Sequence, residues 1–271
     1  MNTRDIPRDI QRASPPNAYA WPEVRERVGE AEWALRVDLA AAYRLVAHYG
    51  MDDLIYNHIS VRVPGEEEYF LINPYGPLYR QMTASSLVKI DLDGQMVDEP
   101  PHGFGINRAG FVIHAAVHRA RPDVACVLHT HTPAGMAVSA LECGLLPLTQ
   151  TAMFFSEVPI HEYEGVAVDL DEQARIVADL GMHRALLLRN HGLLTVGPSI
   201  AEAFTAMYWL ERACQAQTMA MACNTPLHLP PKPVVDKTNH LYKPATRRPF
   251  GLMEWPALRN MLDSIDPSYQ D

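Results

Sequence analysis

Apolar positions recur at helical spacing through EAEWALRVDLAAAYRLVAHY (30–49), with Trp33, Leu35, Val37, Leu39, Tyr43, Leu45 and Val46 set among charged residues. Gly50 follows as a C-terminal stop. The pattern then shortens. HISVRV (58–63) and YFLIN (69–73) predict strands joined by a PGEEE turn, and VKIDLDGQMVD (88–98) predicts a strand, a DG turn and a second strand. Residues 107–120 return to helical spacing; DVACVLHTH (123–131) is a strand, and ALLLRNHGLLTVG (185–197) is two strands hinged at His191-Gly192. Residues 200–223 form a long helix introduced by Pro198-Ser199. Beyond about Pro226 the chain is Pro-rich, with one short helical piece near Trp255–Ile265. Helices flanking a central sheet predict a single three-layer α/β domain. The expected layout is an N-terminal arm over 1–25, the domain over 26–225, and an extension over 226–271 packed on the domain or a neighbouring subunit.

Composition narrows the function classes. The 271 residues are 48% apolar and 20% charged, enough for a sizeable core. A formal net charge of −9 lacks the basic footprint that nucleic acid requires. No run of about 18 apolar residues suggests a membrane span, and residues 1–23 lack the apolar stretch of a secretory signal. Cys126, Cys143, Cys214 and Cys223 form no CxxC pair and read as reduced core thiols, so the expected compartment is the cytoplasm.

Three histidines carry the candidate chemistry. His129 and His131 lie two apart at the end of a strand, so they share a face roughly 7 Å apart. His191 stands at the hinge of the later strand pair, before a glycine that permits close backbone approach. Three neutral imidazoles with a fourth position open suit a catalytic divalent metal, with zinc favoured and iron(II), manganese or cobalt compatible. The alternative is hydrogen-bonded core histidines. Asn57 and Ser60, with Tyr75 and Gly76 in the NPYG turn, are candidate anion or carboxylate donors; ordinary turns explain the same residues. Asn107 and Arg108 open a helix, where Arg108 could clamp a carboxylate or simply face solvent. His114 and His118, four apart on that helix, suit packing or support of the metal residues. His58, His114 and Tyr163 are candidate proton-transfer groups.

Taken together, NHISVR (57–62), LINPYG (71–76), MTASSLVKID (82–91), IHAAVHRARPDVACVLHTHTPA (113–134) and RNHGLLTVG (189–197) resemble the class II aldolase/adducin family. The resemblance implies a mainly antiparallel sheet between helical layers, metal ligands at His129, His131 and His191, and a cyclic tetramer with active sites at subunit contacts. It also implies two departures. Sugar-phosphate aldolases of the family carry Ser-Ser-Glu where this chain has Arg108-Ala109-Gly110, and a proton-donating tyrosine in the segment matching Leu148-Thr149-Gln150-Thr151. In these positions the chain is more similar to the adducin-head branch, whose members do not keep the three histidines as a set. The expected function is therefore a metal-dependent lyase, cleaving a C–C bond by aldol reaction or decarboxylation in a small non-phosphorylated hydroxy- or oxo-carboxylate. A non-catalytic adducin-like assembly module and an iron-dependent oxygenase are the alternatives.

Overall fold

Alternation along the strands divides their side chains between two helical layers. The computed structural model describes residues 19–101, 103–155, 157–165 and 171–271, so most of the expected N-terminal arm lies outside the described residues. Helices α1 (Val24–Arg27), α2 (Glu30–His48), α3 (Arg108–Ala120), α4 (Pro133–Ser139), α5 (Glu172–Leu180), α6 (Ile200–Ala222), α7 (Lys232–Tyr242) and α8 (Trp255–Ile265) surround seven strands. These are β1 (His58–Val63), β2 (Glu66–Ile72), β3 (Val88–Asp91), β4 (Cys126–Thr130), β5 (Ile160–His161), β6 (Ala185–Leu188) and β7 (Gly192–Gly197). They form one sheet in the order β3-β2-β1-β4-β7-β6-β5, antiparallel except for β5 beside β6. The result is the single three-layer α/β domain that the alternating elements predict.

One face of the sheet packs Ile59, Leu128, Leu187 and Leu193 against α2 and α6 through Leu39, Tyr43, Phe204 and Leu210. The opposite face packs Val127, Leu186, Leu188 and Leu194 against α3 and α5 through Ile113, Val117, Ile176 and Leu180. Burying each such side chain contributes about 1.5–3 kcal/mol. On the α3 side, β1 instead presents His58 and Ser60, and α3 answers with Gly110, His114 and His118 at four-residue spacing. A helix repeats a face every three or four residues and a strand every two, so two polar stripes meet in the interior. That polar seam leads directly to the end of β4.

Several local expectations shift. The turn expected over 64–68 tightens to Pro64-Gly65, with Gly65 at φ +75°, and β2 already begins at Glu66. Lys89 holds Glu66 at 2.7 Å, which supports the acidic residue in a strand. The strand expected after the DG turn reduces to a single bridge, Ile90 to Met96. The Pro-rich region contains α7, whose proline sits in the first turn, where a missing N–H breaks no hydrogen bond. The C-terminal residues pack on α2 through Trp255 Nε1 to Asp38 (3.0 Å), Arg44 to Asp266 (3.0 Å) and the fully buried Tyr269. Cys126 and Cys214 are core thiols, but Cys143 and Cys223 are exposed, because their segments run along the surface. No helix among the described residues is long and apolar enough to cross a membrane.

Candidate metal centre

The pairing of β4 with β1 and β7 builds the site. His129 lies opposite His58 on one side and Leu194 on the other, and His131 follows immediately after β4. His191 sits in the turn between β6 and β7, where Asn190 adopts φ +56°. Gly192 lets that turn close on β4. A Cβ there would lie 2.3 Å from the Thr130 carbonyl oxygen, so any other residue would push the turn away.

Ligand-capable nitrogens of His129, His131 and His191 all lie within 4.8 Å of one another. The Nε2 atoms of His129 and His131 are 2.8 Å apart, and those of His131 and His191 are 3.0 Å apart. The far sides of two rings are committed. His129 Nδ1 donates to the Leu193 carbonyl at 2.9 Å, and His131 Nδ1 donates to Asp53 Oδ2 at 3.0 Å. A neutral imidazole has one N–H, so both Nε2 atoms present lone pairs to each other. Lone pairs at that distance repel unless a cation or proton lies between them. Burial disfavours charge on two of the rings: it pushes His129 well below the usual imidazole range and His191 down to about 4, each reinforced by the neighbouring histidines. Three converging ring nitrogens, two of them on rings whose outer N–H groups are already bonded, fit a divalent ion.

A cavity of about 290 Å³ opens beside the cluster, walled by Asp53, Tyr56, His58, Asn107, Gly110 and Tyr163 among others. Of the residues singled out in the sequence, His58, Asn107 and Tyr163 thus join the three histidines; Tyr163 is at the rim, 54% exposed. The others do not reach the cavity. Ser60 Oγ bonds His114 Nδ1 at 2.6 Å and His118 Nε2 at 2.7 Å behind it. Burial lowers both histidines to about 3, aided by His118 for His114 and by Arg62 for His118. Asn57 is buried and accepts the Asp53 N–H at 2.6 Å, holding the loop that carries Asp53. Tyr75 donates its N–H to the Gly105 carbonyl at 2.8 Å, and its ring lies 6.3 Å from that of Tyr56. Gly76 is covered by the Phe104 ring, 2.6 Å from where its Cβ would stand, so the NPYG turn is no open anion cradle. Arg108 is exposed and lines a separate depression with Asp93 and Phe111.

Sequence reasoning missed Asp53 and Tyr56. Asp53 stands 78 residues before His131 in an unpatterned loop, so no local period marks it. Gly110 explains the absent glutamate. A Cβ at that position would meet the His58 ring at 2.3 Å, so the imidazole fills the space into which a side chain from α3 would project.

Residues 37–218 match the family described as "Class II Aldolase and Adducin N-terminal domain". The chain belongs to the class II aldolase and adducin family. A crystal structure of an aldolase II superfamily protein from Pseudomonas syringae is similar at 49% identity and TM-score 0.87, covering 92% of this chain and 100% of that one. The structure of L-fuculose 1-phosphate aldolase from Glaciozyma antarctica is similar at 30% identity and TM-score 0.79, covering 89% of this chain and 93% of that one. Alpha-adducin of Rattus norvegicus is 49% identical over 194 residues, which are 71% of this chain and 26% of that protein. The relatives therefore include both an enzyme and an adducin.

Proposed function

We propose that this chain is a metal-dependent lyase that cleaves a C–C bond, by aldol reaction or decarboxylation, in a small non-phosphorylated hydroxy- or oxo-carboxylate. The observation that carries the reading is the convergence of imidazole nitrogens beside a small cavity, with the outer N–H groups of His129 and His131 already bonded. A divalent ion held by His129, His131 and His191, with zinc favoured by the all-nitrogen donors, supplies Lewis-acid polarisation of a substrate oxygen. Asp53 fixes the tautomer and direction of His131. Asn107 and His58 bind substrate from the walls, and the exposed hydroxyl of Tyr163 donates a proton at the rim. His114 and Ser60 support His58 from behind. The filled Gly76 turn, and described cavity walls without lysine or arginine, favour a substrate without phosphate. The chain works as a homo-oligomer, a tetramer by family resemblance, in the cytoplasm.

The second reading, a non-catalytic assembly module, is favoured by the 49% identity to alpha-adducin. Elemental analysis of the purified protein, with a screen of hydroxy and oxo acids, separates the two. The lyase reading expects about one divalent ion per chain and turnover that His129→Ala abolishes together with the ion. A metal-free protein inert toward every acid leaves the assembly module. Iron as the resident ion, with oxygen consumed during turnover, replaces the lyase by an oxygenase.

A further inference from the structure

His58 has its hydrogen bonding incomplete at the place where a ligand would bind. It is 4% exposed, and neither Nδ1 nor Nε2 has a partner among the described residues. A buried donor and acceptor left unmet are destabilising, and folded chains retain such groups where a ligand or an ordered water completes them. The ring cannot turn away to find protein partners. Its atoms lie 2.3–2.5 Å from where a Gly110 Cβ would stand, so α3 rests directly on it. It stacks on His129 at 6.3 Å between ring centres and meets the edge of His114 at 5.8 Å. Each neighbour is bonded elsewhere through Nδ1, His129 to Leu193 and His114 to Ser60, and neither bonds His58. The ring therefore has one outlet, the cavity it shares with the three-histidine cluster.

We infer that His58 is the residue that selects a carboxylate: its ring N–H donates to a carboxylate oxygen of the ligand bound beside the three histidines. This moves the clamp expected from Arg108 to a buried ring donor on the cavity wall. A ring N–H bonded to a carboxylate oxygen is a charge-assisted hydrogen bond, stronger than one between neutral groups. The inference rests on the metal-site reading above and deepens it.

The test uses full-length protein loaded with cobalt(II), whose visible spectrum reports ligands at the ion. Glycolate serves as the carboxylate probe and thiocyanate as an anion without a carboxylate. His58→Phe keeps the ring volume and should hold stoichiometric cobalt while weakening glycolate about tenfold or more. Thiocyanate binding should stay within about twofold, because a monodentate anion does not need the second contact. His58→Gln, which restores an N–H, should recover part of the glycolate affinity. If His58→Phe is not recovered folded, Gly110→Ala, which displaces the ring, should give the same split. Unchanged glycolate affinity in a cobalt-loaded variant, or a parallel loss of both probes, overturns the carboxylate role alone. Wild-type protein that takes up no cobalt overturns the metal reading, and this inference with it.

Discussion

Two groups of histidines lie on the same side of the sheet, and they have opposite uses. His114 and His118 converge on one hydroxyl, Ser60 Oγ, which can give its proton to one ring and accept from the other. Their charge is suppressed, and each commits one nitrogen inward to that oxygen. Burial disfavours charge on His129 and His191 as well, but the Nδ1 contacts of His129 and His131 run outward to Leu193 and Asp53 and leave the three Nε2 atoms facing one another. Density of histidine does not distinguish a ligand site from a packed polar core. The direction of the committed N–H groups does.

That contrast breaks first under substitution. Replacing His129 with alanine should drop bound metal from about one ion per chain to background, since two imidazoles rarely retain a catalytic ion. His118→Phe should leave the metal content unchanged. Inductively coupled plasma analysis of both variants checks this; equal loss in the two would erase the distinction. Acid separates the groups next. His114 and His118 fall from 6.5 to about 3 on folding, so between those values the unfolded chain binds more protons than the native one. Their contribution is complete above about pH 6.5 and is lost as pH falls toward 3, at up to about 1.4 kcal/mol per pH unit for each group. Urea unfolding from pH 7 to pH 4 should show this slope in metal-free protein, and a His114→Phe, His118→Phe double variant should flatten it. A slope unaltered by the double substitution would refute the linkage.

The strands were legible because apolar runs such as CVL and LLTV state their character without ambiguity, and the helix at Trp255–Ile265 keeps a clean helical period. His191 was legible because a strand pair hinged at His-Gly leaves little choice of turn. Register was not. That His58 stands opposite His129, or that Gly110 rests on His58, follows from pairings made across more than 50 residues. Strand β5 has two residues, too few for any period, and the prolines around α7 mask a helix that they start rather than break. Gly76 read as a cradle because its sequence resembles one; Phe104 closes it from a segment without pattern.

Asp53 sharpens the comparison more gently. Asp53→Asn keeps an acceptor for His131 Nδ1 but removes the charge, and should weaken metal affinity about 10- to 100-fold, as loss of a carboxylate behind a ligand histidine does. Competition with a chelating dye measures it. Retained affinity would show that the backbone alone aims His131.

Arg108 has the smallest expected effect, and for a physical reason. It lies on the exposed start of α3, along a depression shared with Asp93 and Phe111, while the neighbouring Asn107 and Gly110 line the histidine cavity. A helix advances about 100° per residue, so a guanidinium at 108 emerges on a different side from Gly110, two residues on. A charge-assisted hydrogen bond to substrate is worth about 1.5–3 kcal/mol, roughly 10- to 150-fold in affinity. Arg108→Ala should therefore leave glycolate affinity of the cobalt-loaded protein within about twofold of wild type, whereas His58→Phe does not. A tenfold loss at Arg108 would mean that the carboxylate is gripped from the outer face of α3, and the ligand would have to reach past the wall that His58 and Gly110 form.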